Sequence, residues 1–528
     1  MSIRDSGIWR NAARAKSAEA AEAEREAWKR DAEERAVGEC IETLTGRRCC
    51  TGDPEDPAAC IRGIIEKQRK ANGPAPYPSA AVRKDRIDRC IDVLVRRAED
   101  IAETVREDFG KRPEIETLLT EVWSTVELLK NARRNLRRWM RSDRRHIRPI
   151  LRILSHKGYV TYRPKGVVGI ISPWNFPVNL AFGPLASVLA AGNSAVLKPS
   201  ELTPRTAALI EEMITSAFDE SEVAVVTGGP ETGKAFASAR FDHLVFTGST
   251  SVGKAVMRSA AANLTPVTLE LGGKSPVIIS RSADMTTAVD RILRTKMLNA
   301  GQICLAPDYV LLPEEDLNRF RGAVLRWTEE YAAALPGGSA GTNIISVGHA
   351  ERIRGYVTEA REKGFEVIDL GSERGGPRGT GDLRIVPAAL ILEPSDELKI
   401  MREEIFGPVL PVKSYTYLHE AVDYVNARPR PLALYYFGRK RRELRRVLNE
   451  TISGGVTTNH TLVHVGYPDL PLGGIGMSGT GRYHGYDGFR EFSHHRAVYR
   501  QGIFDPFSLL RPPYTERHRK AVRRLIGR

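Results

Sequence analysis

The sequence predicts an α/β chain with parallel sheets, divided into at least two packed units. From Val167 to Phe246, short runs rich in Val, Ile and Leu alternate with stretches of helical spacing, and a strand–helix–strand series of this kind closes as a parallel sheet. A second α/β series starts after Gly273, with Pro276–Ile279 and Tyr309–Leu312 as buried-strand runs. A chain of 528 residues also exceeds what one core can organise.

Taken in order, residues 1 to about 36 are rich in Ala, Glu, Arg and Lys and carry no Gly or Pro after Gly7, which favours an exposed helix with little to bury. Cys40, Cys49, Cys50 and Cys60 follow among glycines and prolines. Their spacing lacks the paired Cys-x2-Cys of common zinc modules. A metal or a regulatory disulfide therefore stands beside the plainer reading of reduced thiols in a loose extension, and no metal site is predicted. Apolar residues then recur at helical spacing from Ala80 to Phe109 and from Glu114 to Met140, which predicts two amphipathic helices. Pro149–Leu154 and Gly158–Tyr162 flank a short polar turn and predict a β-hairpin.

The parallel series consists of strand Val167–Ser172, helix Pro177–Ala190, strand Ala195–Lys198, helix Pro204–Phe218, and strands Val223–Thr227 and Leu244–Phe246. Thr203 before Pro204 offers an N-cap and a first-position proline. The second unit runs from Gly273 to about Gly474, and Phe489–Gly502 has strand character.

Composition removes several function classes. No apolar run approaches the roughly 20 residues of a membrane helix, and Met1–Arg10 lacks the apolar core of a signal peptide, so the expected location is the cytoplasm. The net charge of +14 is concentrated: Lys130 to Lys165 holds 13 Lys/Arg against Asp143 alone, and Arg511 to Arg528 holds seven against Glu516 alone. No nucleic-acid motif accompanies it, and solvated helix faces and protected edges account for such runs. Neither nucleic acid nor membrane is expected as a partner.

The chemistry centres on Glu270 and Cys304. Glu270 ends a predicted strand before Gly272-Gly273, and Cys304 follows a helix in the loop Asn299-Ala300-Gly301-Gln302-Ile303-Cys304, unlike Cys90, which lies on an apolar helix stripe. A thiol and a carboxylate are the two groups needed to attack a carbonyl and then hydrolyse the thioester. Asn175, two residues before Pro177, could by itself be a helix N-cap. Gly248-Ser249-Thr250-Ser251-Val252-Gly253-Lys254 follows a strand and opens a helix, so its N–H groups can face a pyrophosphate. It matches G-x4-G-K, as does Gly228–Lys234, but Ala255 and Ala235 stand where a nucleotide triphosphatase needs a metal-binding hydroxyl, which argues against that activity.

With Pro173-Trp174-Asn175-Phe176-Pro177, Lys198-Pro199-Ser200-Glu201 and Glu403-Glu404-Ile405-Phe406-Gly407-Pro408 added in that order, residues 62 to 505 resemble the NAD(P)-dependent aldehyde dehydrogenase superfamily. The resemblance implies a Rossmann-type cofactor domain (62–146 and 164–271), an α/β catalytic domain (272–488), a β oligomerisation element (147–163 and 489–503) that makes a homodimer, an N-terminal extension (1–61) and a basic tail (504–528). It implies Cys304 as nucleophile, Glu270 as the base for water, and Asn175 with the Cys304 N–H as oxyanion donors. For the cofactor, NAD⁺ with NADP⁺ admitted, it implies Lys198 and Glu201 at the adenosine ribose, Gly248, Ser249 and Gly253 around the pyrophosphate, Glu404 at the nicotinamide ribose, and Phe406 and Trp174 in the same site. Glu270 also separates the chain from CoA-acylating relatives, which generally lack it. Asn175–Ser187, Phe241–Thr250, Ala306–Val310, Asn426–Leu434 and Gly481–Gly485 look like the coniferyl aldehyde dehydrogenase branch, near the class 3 enzymes. An aromatic aldehyde is the implied substrate, with a fatty aldehyde, or a silent scaffold on the same fold, as alternatives.

Overall fold

The computed structural model describes residues 56–73, 77–370, 382–503, 505 and 511–527. Within them the chain forms three sheets of six, seven and three strands. The six-stranded sheet has the order Gly479–Thr480, Val267–Leu271, His243–Gly248, Val167–Ile171, Ser194–Lys198, Val223–Val225, parallel throughout except for the short edge strand Gly479–Thr480. Its central strands are buried along nearly their whole length, as their unbroken apolar runs require. Helix Asn179–Ala191 is apolar all round for the same reason and ends at Gly192, whose φ of 92° gives the left-handed cap.

The seven-stranded sheet runs Glu366–Leu370, Ala388–Leu392, Val409–Tyr415, Tyr309–Pro313, Pro276–Ile279, Ala433–Phe437, Gly455–Thr458, with only the first strand antiparallel. Tyr309–Pro313 and Val409–Tyr415 are neighbours, so the loops that enter them, carrying Cys304 and Glu404, arrive at the same sheet edge.

The expected hairpin is corrected. Pro149–Ile153 is a short helix, opened by a proline that presets the helical φ, with the N–H groups of Leu151 and Arg152 donating to Arg148 O. The long partner of Lys157–Pro164 is instead Ser493–Arg500, antiparallel in unbroken register from Ser493↔Pro164 to Arg500↔Lys157, with Asp143–Arg144 on the other side. Phe489 lies in helix Gly485–Glu491, so the last strand starts only at Ser493.

Other boundaries shift as well. Residues 57–61, read as the end of a loose extension, already belong to helix Pro57–Asn72, which buries Ile61, Ile64 and Ile65 against the six-stranded sheet. Residues 1–55, including Cys40, Cys49 and Cys50, lie outside the described residues. The helix expected over Ala80–Phe109 is two, Ala80–Arg96 and Ala98–Phe109, joined at Arg97, and the one over Glu114–Met140 has a π-helical turn at Leu118–Trp123. Thr203 makes no side-chain cap. The N–H groups of Arg205 and Thr206 donate instead to Asp108, at 3.2 and 2.9 Å, so a distant carboxylate caps that helix.

Candidate active site

In the six-stranded sheet the chain steps outward from Val167–Ile171 to Ser194–Lys198 and Val223–Val225, then returns to the opposite flank as His243–Gly248. This reversal leaves a crevice beyond the carboxyl ends of Val167–Ile171 and His243–Gly248, where open α/β sheets take ligands. Trp174 and Asn175 follow the first of these strands, Gly248 and Ser249 close the second, and Lys198 ends the neighbouring one. Ser249 caps helix Thr250–Ala261 by accepting from Val252 N at 3.4 Å, leaving first-turn N–H groups for an anion. A Cβ on Gly248 would lie 2.5 Å from the Phe246 ring, and one on Gly253 2.5 Å from Leu271, so both glycines permit close packing of this turn. Lys198 is buried and ion-paired with Glu201.

The Cys304 loop is held in an uncommon shape. Asn299, Ala300 and Gly301 have φ of 50°, 50° and 75° in succession. Buried hydrogen bonds over-determine it. Asn299 N donates to Glu116 Oε1 at 3.0 Å, and Asn299 Nδ2 donates to Asn175 O at 3.0 Å. The Gln302 amide donates to Asn299 O and Asn343 O and accepts from Ile345 N. Asn175 joins the same loop, its Nδ2 donating to Gln302 O at 3.0 Å, which leaves its second amide proton for another acceptor. Behind it, buried Arg112 donates to Asn175 O at 3.1 Å, pairs with Glu116 and Glu121, and lies over the rings of Phe109 and Phe176.

Cys304 is half-buried and its thiol is pushed up to about 12, first by burial and then by the Glu404 and Glu270 carboxylates. Cys90 is fully buried and packed in the apolar core. Glu270 is buried with both oxygens lacking a well-formed hydrogen bond. Burial, then the Glu491 charge, raises it well above the ordinary carboxylate range, against Arg482 and the Gly474 N–H. The buried Tyr483 hydroxyl also lacks a well-formed partner and feels both Glu270 and Cys304.

Glu404 stands next to Gly272, where a Cβ would fall 1.7 Å from Glu404 Oε2. Its Oε1 is buried without a partner, and burial, then Asp308, pushes it up to about 8. The segment is clamped: Lys274 Nζ donates to Asp308 (2.5 Å), Ile400 O (2.6 Å) and Glu403 O (2.9 Å), while Asp308 accepts from Ile405 N at 3.1 Å. Phe406, at φ 50°, sets its ring edge-on to Trp174, centroids 5.4 Å apart, and His349 lies 5.3 Å from Trp174 on another side.

The expected residues thus form two groups. Cys304, Glu270, Asn175, Glu404, Phe406 and Trp174 are linked by contacts or charge, and Lys198, Glu201, Gly248, Ser249 and Gly253 line the strand ends of the crevice. An acceptor oxygen left unpaired on Glu404, a carboxylate on Glu201 and an open helix N-terminus match the hydroxyls and pyrophosphate of a dinucleotide. Arg112, Glu116, Glu121, Lys274, Asp308 and Tyr483 were not singled out from sequence. The Lys274 and Asp308 positions, 34 residues apart, mirror the spacing of Glu270 and Cys304 and offered a signal. Among the described residues no helix is long and apolar enough to cross a membrane.

The profile described as "Aldehyde dehydrogenase family" matches residues 28–498, beginning well before residue 62, where the motif-based resemblance starts. The chain is 52% identical over 465 residues to the "Probable coniferyl aldehyde dehydrogenase" of Caulobacter vibrioides, covering 88% of this chain and 96% of that one. It is 46% identical to the "Coniferyl aldehyde dehydrogenase" of Pseudomonas sp. HR199, covering 86% and 94%. The solved aldehyde dehydrogenase of Mycobacterium tuberculosis complexed with NAD⁺ superposes with a TM-score of 0.75 at 28% identity, covering 85% and 91%.

Proposed function

The chain belongs to the aldehyde dehydrogenase family, and from that premise we propose that it oxidises coniferyl-type aromatic aldehydes to their acids, as a cytoplasmic homodimer, with Cys304 as nucleophile. NAD(P)-dependent oxidation of an aldehyde is the reaction of the family. The aromatic substrate is supported by the 52% identity to a relative of that name. One observation carries the assignment of residues: a thiol on an over-determined loop shares its surroundings with a buried carboxylate that lacks a well-formed hydrogen bond.

As a thiolate, Cys304 adds to the aldehyde carbon, and the amide of Asn175 with the Cys304 N–H meets the charge that develops on oxygen. Removing such a donor costs about 3–4 kcal/mol of transition-state stabilisation. Glu404, Phe406 and Trp174 would hold a nicotinamide, which would supply the acceptor for the hydride that leaves the adduct carbon as the thioester forms. Glu270, ionised, takes a proton from water, which attacks the thioester carbon; the acid departs and Cys304 recovers its thiol. The raised proton affinities of both groups mean that each gains reactivity as pH rises. Glu201, paired with Lys198, would crowd a 2′-phosphate, which favours NAD⁺ over NADP⁺.

The test is Glu270→Gln with an aromatic aldehyde. The variant should release at most about one equivalent of NADH per site and then stall with a thioester on Cys304, visible by mass. Wild-type steady-state hydrolysis would remove Glu270 from its role. Comparing kcat/KM for cinnamaldehyde-like compounds and long n-alkanals decides the substrate class, and higher values for the alkanals would reject the aromatic reading.

A further inference from the structure

Behind the Glu270 strand runs a hydrogen-bonded chain that the reaction above does not use. Lys165 Nζ lies 2.9 Å from Nδ1 of His243, Nε2 of His243 lies 2.8 Å from Thr268 Oγ1, and Thr268 Oγ1 donates to Glu491 Oε1 at 2.9 Å. His243 and Thr268 are buried. An ammonium can only donate, so Nδ1 of His243 is the acceptor and Nε2–H the donor. The one hydroxyl proton of Thr268 then goes to Glu491, and donors run in a single direction from a cation to a carboxylate. Burial and the Lys165 charge both pull His243 well below its ordinary value, which keeps the imidazole neutral, as this arrangement requires.

The chain ends on the face of the strand that carries the base. Thr268 and Glu270 are two residues apart, so their side chains leave the same face. Leu269 and Leu271 occupy the opposite, apolar face. Gly481, at φ 78°, makes room for the meeting: a Cβ there would lie 2.9 Å from Thr268 Oγ1 and 2.8 Å from Glu491 Oε1.

We propose that Glu491 is a positioning residue for Glu270: held by Thr268 and, behind it, by His243 and Lys165, its carboxylate supplies the negative charge that strengthens Glu270 as a base. The inference rests on the reading of Glu270 as the base for water. The groups acting on Glu270 from the surrounding elements are Glu491 at the end of helix Gly485–Glu491, Arg482 and Tyr483 from the segment before that helix, and Cys304. In the acyl-enzyme Cys304 carries the acyl group and no charge, burial keeps the Tyr483 phenol neutral, and Arg482 opposes Glu491, so Glu491 is the group whose removal weakens the base.

The experiment follows decay of the acyl-enzyme after a single turnover, as a function of pH, in the full-length enzyme and in Glu491→Gln, whose amide oxygen can still accept from Thr268. Loss of the charge should move the acid limb down by about half a unit to one unit. Decay on the acid side should then be about three- to tenfold faster than wild type, with a plateau no higher. Glu491→Asp, which keeps the charge, should stay near the wild-type limb. An unmoved limb in Glu491→Gln, whatever happens to stability, overturns the proposal, and so does an equal shift in Glu491→Asp. The parent reading fails separately: Glu270→Gln decaying at the wild-type rate removes the base itself. A trapped thioester in Glu270→Gln with an unmoved Glu491→Gln limb removes only the role of Glu491.

Discussion

At the scale of single residues, Gly301 shows why the Cys304 loop has its composition. Its φ of 75° follows two non-glycine residues already at 50°, and a Cβ on it would lie 2.4 Å from Gly407 O and 3.0 Å from Lys296 O. Both obstacles are backbone, which cannot swing aside as a side chain can. Gly301→Ala should therefore cost about 1–3 kcal/mol in urea unfolding and lower kcat by more than about tenfold, because the loop that aims Cys304 must shift. Wild-type values for both would mean that the loop relaxes without consequence. Asn299 and Ala300 endure the same region only because Glu116, Asn175 and Gln302 hold them.

At the scale of elements, helix Pro204–Ala217 illustrates a cap that comes from elsewhere in the chain. Thr203 and Pro204 look sufficient in the sequence, yet the Thr203 hydroxyl turns back to Ser200 O, and Asp108, at the end of helix Ala98–Phe109, accepts from Arg205 N, Thr206 N and Thr206 Oγ1. The same carboxylate thus binds two helices together. Asp108→Ala should lower unfolding stability by about 1–2 kcal/mol, while Thr203→Ala should cost less. The reverse order, measured in denaturant, would restore the local cap. Apolar periodicity located these helices because burial imposes a 3.6-residue repeat. It missed the break at Arg97 and the π-turn at Leu118–Trp123 because neither alters which face is buried over a turn or two.

At the scale of the whole molecule, the three-stranded sheet ends on Ser493–Arg500, whose outer edge is unpaired among the described residues. An eight-residue edge strand turns the N–H and C=O groups of alternate residues outward, an edge that soluble proteins cover or protect with charge. His494, His495 and Arg496 are exposed along it, and a second copy adding to this edge would make the proposed homodimer. Sedimentation should then give a particle of two 58.5 kDa chains, and a monomer at micromolar concentration would contradict the proposal.

Order, spacing and residue type sufficed for the parallel βαβ series and the family, and they put forward the pair Glu270 and Cys304 that is proposed above as base and nucleophile. These are properties of short segments: strands and helices follow from burial periodicity, and a carbonyl-attacking thiol with a hydrolytic carboxylate needs particular groups in particular loops. The hairpin at Pro149–Leu154 failed because a run of six residues with five apolar or proline positions suits a strand or a buried helical turn equally, and only the pairing of Lys157–Pro164 with Ser493–Arg500 across the chain decides between them. The supports of the site were settled by tertiary structure alone. Arg112 with Glu116 and Glu121, Lys274 with Asp308, and Lys165, His243 and Thr268 with Glu491 are charged or polar residues that the sequence would place in water. Burial against one another, across separations that no local pattern spans, turns them into the frame around the Cys304 loop, the Glu404 segment and the strand that carries Glu270.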